Sequence, residues 1–128
     1  MLFRQDAGVK AGRQQLLSAL DDKSAMVRIT AAEALGRFGT DEDAAKALDV
    51  LIEQVQPDAD TWAGISAWNA IDYMDERARP KADVLLKIGT DVKAGGAPGR
   101  VQGYAKNLKP RVLADLGLKE EKPKKNQK

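Results

Sequence analysis

Val27, Ala31, Ala34, Leu35 and Phe38 recur 36 residues later as Ala63, Ala67, Ala70, Ile71 and Met74. Steps of 4, 3, 1 and 3 keep each set on one side of an α-helix. A second apolar set precedes each of these. Leu16, Leu17 and Leu20 recur at an offset of 35 as Leu51, Ile52 and Val55, and the loop "QPDADT" accounts for the residue of difference. The chain therefore repeats a pair of antiparallel helices. One such pair cannot cover both of its apolar sides and must stack on the next. The spacing predicts an all-α fold, a short α-solenoid of two clear pairs and a degenerate third.

Polar residues punctuate the pattern where helices should begin and end. After the acidic turn Asp21-Asp22-Lys23-Ser24, either Asp22 or Ser24 can cap the next helix. Gly39 ends that helix, and Thr40 and Asp43 have the spacing of a capping box with Asp in place of Glu. Ala44, Leu48, Leu51, Ile52 and Val55 then form the apolar side of a third helix, which Pro57 stops. Asp58 or Asp60 can cap the fourth.

The third pair is weaker. Pro80 suits a first helical position, followed by an apolar side of Val84, Leu85 and Ile88. "GTDVKAGGAPGR" carries four glycines and reads as a loop. Pro98 can open a helix through Val101, Tyr104, Ala105 and Leu108, and Pro110 a last one through Val112, Leu113 and Leu116. The expected organisation is a helical domain over 1–117, with repeats at about 10–39, 43–75 and 80–109 and a final helix at 110–117. A charged, disordered tail is expected over 118–128.

Composition removes several kinds of chemistry. No cysteine and no histidine is present, which excludes disulfides, thiolate nucleophiles and the commonest general base and transition-metal ligand. Aromatic residues make up 5% of the chain, favouring close helix packing over a sheet. The net charge is +2, but "KEEKPKKNQK" at the end holds five lysines and two glutamates. That tail carries +3 and leaves the other 118 residues at −1, so no basic face is expected for nucleic acid. Lacking aromatic residues for base stacking, the tail reads as a solubilising segment. No apolar run approaches the ~20 residues of a membrane span, and "MLFRQDAGVK" lacks the apolar core of a signal peptide. No nucleic-acid or membrane partner is expected, and no cofactor.

The segment with Asp22, Val27, Arg28, Ala31, Ala32, Ala34, Leu35 and Gly39 resembles a HEAT repeat: an acidic turn, Val-Arg, Ala-Ala-x-Ala-Leu, then Gly. The second unit keeps Ala67, Ala70 and Ile71 but has Ala63-Gly64 in place of Val-Arg. Over most of the chain, the order "LLSALDDKSAMVRITAAEALGRFGTDEDAAKALDVL", "WNAIDYMDERARP", "YAKNLKPRVLADLG" is similar to the C-terminal helical extension of certain bacterial sulfatases. That resemblance implies a parent hydrolase acting outside the cytoplasm. The sulfatase nucleophile motif, Cys or Ser-x-Pro-x-Arg, is absent, because Ser18, Ser24 and Ser66 lead into "SAL", "SAM" and "SAW". No catalytic or metal-binding residue carries over.

Five residues stand out as structural or interaction candidates. The HEAT resemblance implies that Arg28 reaches toward the acidic turn or the neighbouring repeat, with Asp22 the nearest candidate partner. A structural role is favoured over ligand binding, because no substrate-shaped cluster surrounds it. Trp62, Ile65 and Trp68 lie off the 63–67–70–71–74 stripe and give the fourth helix a second apolar side. Ile29 and Ala32 map onto Ile65 and Trp68 at the same offset. Packing between repeats is favoured for Ile65 and Trp68, while Trp62 is open between packing and docking, since tryptophan is enriched in binding hot spots. Asp41, Glu42 and Asp43 read as favourable charge at a helix N-terminus, and "GRFGT" and "AGGAPGR" lack the Gly-Lys-Ser/Thr of a phosphate loop. The expected function is a non-catalytic interaction or structural module, the C-terminal part of a larger sulfatase-like hydrolase, whose partner is a catalytic domain or other protein surface. The alternatives are sulfatase activity through the parent protein and a free-standing scaffold whose basic tail contacts nucleic acid or acidic membrane.

Overall fold

Side-chain oxygens start three of the helices. Ser24 accepts from Val27 N at 3.4 Å, Thr40 from Asp43 N at 3.1 Å, and Asp60 from Ala63 N at 2.9 Å. Each satisfies a first-turn amide that has no partner within its own helix. At the Thr40 cap the bond is reciprocated, Thr40 N donating to the Asp43 carboxylate at 3.3 Å. The computed structural model describes residues 12–56, 59–88 and 99–118. The helices are α1 (12–19), α2 (Ala25–Phe38), α3 (Asp41–Gln54), α4 (Thr61–Met74), α5 (Ala82–Lys87) and α6 (Gly99–Asp115). A 3₁₀ segment, Asp75–Lys81, joins α4 to α5. Among the described residues there is no strand. The fold is an all-α, solenoid-like stack.

Helices α2, α4 and α6 lie side by side with α4 in the middle, and α3 packs across α2 and α4. Three contacts show that the three run parallel. Gly36 near the end of α2 meets Met74 at the end of α4. Arg77 just beyond α4 donates to Gly39 O just beyond α2, at 2.7 Å. Arg79 donates to Leu116 O just beyond α6, at 3.1 Å. The stripe expected on α4 is wholly buried, with Ala63, Ala67, Ala70, Ile71 and Met74 at most 3% exposed. On α3, Ala44, Leu48, Leu51 and Val55 are buried and Ile52 is half-buried.

Helix α2 departs from its expected stripe. Ala31 and Leu35 are buried, but Val27 and Phe38 are 41% and 39% exposed, and Ala34 is only partly covered. Ile29, Ala32 and Gly36 are buried instead. At 100° per residue, 29, 32 and 36 lie opposite 27, 34 and 38, with 31 and 35 between them. The first set faces α4, because a Cβ on Gly36 would fall 2.8 Å from Met74 Cγ.

The last pair differs from expectation in three ways. Pro80 lies inside the 3₁₀ segment, and α5 starts two residues later at Ala82. Leu85 and Ile88 are buried, but Val84 and Tyr104 are 41% and 48% exposed. Pro110 does not restart a helix, since α6 runs unbroken from Gly99 to Asp115. A proline costs an interior helix one amide bond. Here Pro110 faces solvent, while Leu108 on one side and Val112, Leu113 and Leu116 on the other are buried. The apolar side spans the proline and keeps the axis in one piece. Gly117 ends α6 at φ +75, with Gly117 N donating to Ala114 O and Leu118 N to Leu113 O. These are the two bonds of a Schellman C-cap, which needs the left-handed residue that glycine supplies. Pro57, the alternative cap Asp58, most of the glycine-rich loop with Pro98, and the lysine-rich tail lie outside the described residues.

Candidate interaction surface

The polar residues brought together by folding act mainly on the chain itself. Arg28 donates from Nη1 to the backbone oxygens of Asp22 at 2.7 Å and Lys23 at 3.1 Å. The Asp22 carboxylate is taken by Ser24 N, at 2.8 Å. Arginine and turn thus meet through main-chain carbonyls, and the two side chains stitch the α1–α2 connection from opposite directions.

A stronger pair was not visible as a pair in the sequence. Asp43 has no exposed surface, and Arg13 of α1 grips it with two bonds, Nε–Oδ2 at 2.8 Å and Nη2–Oδ1 at 2.9 Å. Of the three acidic residues opening α3, this one turns inward, whereas Asp41 and Glu42 are exposed. The Arg13 bonds hold the Asp43 carboxyl at about 2, against the burial that pushes it upward. Gly39 makes the approach possible, since a Cβ there would lie 2.6 Å from Leu35 O and 2.9 Å from Asp43 Cβ. The capping-box spacing identified Asp43 as a cap. No local signal tied it to a residue 30 positions earlier.

Two further cations reach carbonyls. Arg77 adds a bond to Gly36 O at 3.3 Å and lies 3.7 Å from Asp41. Lys109, 5% exposed, donates to Leu86 O at 3.1 Å and to Ile88 O, closing the C-terminal end of α5 against α6. At the α4–α6 contact, burial and the neighbouring Asp115 push the Asp72 carboxyl upward, and Arg111 opposes them.

The aromatic candidates separate. Trp68 is 5% exposed within the core, Ile65 is half-buried against it, and Trp62 is 55% exposed. Trp62 belongs to an outward row on α4 with Ser66, Asn69 and Tyr73. The matching row on α2 is Met26, Thr30, Glu33 and Arg37, each 36 positions earlier. At the C-terminal end of these rows the Arg37 guanidinium sits 5.1 Å from the ring centres of both Phe38 and Tyr73. At the N-terminal end Met26 and Trp62 stand about half exposed.

An open groove of about 380 Å³ lies between α3 and the 3₁₀ segment, with Ala44, Leu48 and Pro80 below and Asp41, Arg77 and Lys81 at its rim. Its charges are mixed, and Arg77 is already engaged with main-chain oxygens. Among the described residues no group of acidic side chains is arranged to hold a metal ion, and no helix is long and apolar enough to cross a membrane. What the surface offers is apolar and aromatic contact area on a rigid helical frame.

No curated protein and no solved structure matches this chain. HEAT repeats match it over residues 4–72, more than half its length, and this span holds the Arg28 turn and all of the 36-residue repeat except Met74. By repeat, packing and match alike, the chain belongs to the HEAT-repeat family.

Proposed function

We propose that this chain is a non-catalytic interaction module that binds protein through the outward row of α2 and α4, with Trp62 as its anchor. HEAT repeats generally mediate protein interaction, which supports the class of function. The exposure of Trp62, 55% against 5% for Trp68 on the same helix, carries the choice of surface. A tryptophan left half in water by its own fold gains most by burial against a partner.

The finer reading is that the module is the C-terminal HEAT-like part of a larger sulfatase-like hydrolase and rests on its catalytic domain. The order of the three quoted segments supports it. Two measurements test these readings. The isolated chain should show no turnover of an aryl sulfate, and sustained turnover would overturn the non-catalytic reading. Affinity capture from the producing organism should retain a specific protein that Trp62→Glu loses. Equal capture by both forms would remove Trp62 from the role.

A further inference from the structure

The two equivalent sides of α2 and α4 have different fates. On α4, Ala63, Ala70 and Met74 are buried because the Ile29–Ala32–Gly36 side of α2 covers them. On α2, the corresponding Val27, Ala34 and Phe38 point away from α4, and none of the three is buried among the described residues. Val27 and Phe38 are accordingly 41% and 39% exposed.

We propose that this edge of α2 is a docking seat for a helix of a partner protein that lies parallel to α2 and continues the stack. Continuity with the α2–α4 contact specifies the occupant. It must present an apolar residue, then small residues three and seven positions later, as Ile29, Ala32 and Gly36 do toward α4. The last position must be glycine or nearly as small. Met74 already fills the space a Cβ on Gly36 would need, and Phe38, which holds the equivalent place on α2, is larger than Met74. The small stripe lets the backbones approach, and the larger side chains of the receiving side fill the gap. This edge lies about a quarter turn from the Trp62 row, so one partner could engage both. The inference rests on the protein-interaction reading and extends it to a second surface with a stated partner.

The test uses the full chain and a defined probe, a stapled peptide with the sequence of α2, Ala25–Phe38, which carries the 29–32–36 side. Titration followed by NMR should shift the Val27 methyls and the Phe38 ring of the protein. Binding should weaken at least tenfold in the Val27→Asp/Phe38→Asp protein, whose changes lie on exposed positions. Peptide carrying Gly36→Leu should lose a similar factor against unaltered protein, and Trp62→Ala should leave the affinity unchanged. No shift at millimolar peptide, or binding indifferent to both the edge variants and Gly36→Leu, would overturn the seat and leave a Trp62-dependent capture standing. Contacts in the free chain from Val27 or Phe38 to residues 1–11 would also overturn it, by naming an internal occupant. So would concentration-dependent dimerisation lost in the edge variant, which would name a second copy.

Discussion

Helices α2 and α4 have the same length and matched apolar positions 36 residues apart, yet they bury different parts of themselves. The middle helix has neighbours on both flanks and covers the side at 63, 70 and 74 as well as Trp68. Its counterpart leaves the matching side at 27, 34 and 38 unburied. Burial in a stacked repeat is thus decided by whether a neighbour is present, and the same stripe is core in one unit and surface in the next.

The largest expected effect sharpens that comparison. Leu35→Ala and Ile71→Ala sit at equivalent positions with no exposed surface, and each should cost about 3 kcal/mol in urea denaturation. Val27→Ala should cost less than about 0.5 kcal/mol, as a surface change does. A Val27→Ala loss rivalling Leu35→Ala would break the distinction between core and edge.

Gly36→Leu probes the joint between the two helices. A Cβ alone meets Met74 within 2.8 Å, so overpacking should cost about 2 kcal/mol. Met74→Ala in the same chain should recover part of that loss, and a simple sum of the two penalties would show that they do not touch.

Next in size is the contrast between two helix caps. Asp60 caps α4 from an exposed position, whereas Asp43 caps α3 while buried under Arg13. Asp43→Ala should therefore cost about 2 kcal/mol and Asp60→Ala about 1 kcal/mol. The Asp43 carboxyl is lowered from 3.8 to about 2. Its contribution is therefore complete above the ordinary carboxylate range and is lost as pH falls from about 4 through 2. The acid limb of the stability profile should flatten in Asp43→Ala, and an unchanged limb would assign acid unfolding elsewhere.

The smallest effect has the opposite sign. Asp72, on the α6-facing side of α4, is raised by burial and by Asp115, so the fold favours its protonated form. That contribution is present at low pH and lost as pH rises through the raised value. Asp72→Asn should raise the unfolding midpoint modestly at pH 7 and leave it unchanged at pH 3. A lower midpoint at pH 7 would mean that the charged form is an asset at the α4–α6 joint.

Much of this fold was legible because its information is local or periodic. Ser24, Thr40 and Asp60 are short-range caps, and a helix start needs only residues within one turn. The repeat also located the core positions of α3 and α4. Where reading along the chain went astray, the deciding partner was distant. Val27 and Phe38 face away from α4, Pro110 was carried through by burial on both sides, and Asp43 met Arg13 from another helix. Among the interaction candidates, the sequence could pick out Trp62, Ile65 and Trp68 as a second apolar side. It favoured packing for Ile65 and Trp68 but left Trp62 open, since a helix axis does not say which side another helix will take.

The amino-acid sequence by itself determined most of the helices, their caps, the 36-residue period and, with no cysteine or histidine, the lack of any thiol or imidazole group. Only the tertiary structure decided which apolar side is core and which is edge, and which charges are paired. Helix formation depends on contacts within four residues, whereas burial depends on bodies brought together across thirty or more. That second choice leaves Trp62 and the Val27–Phe38 edge facing outward.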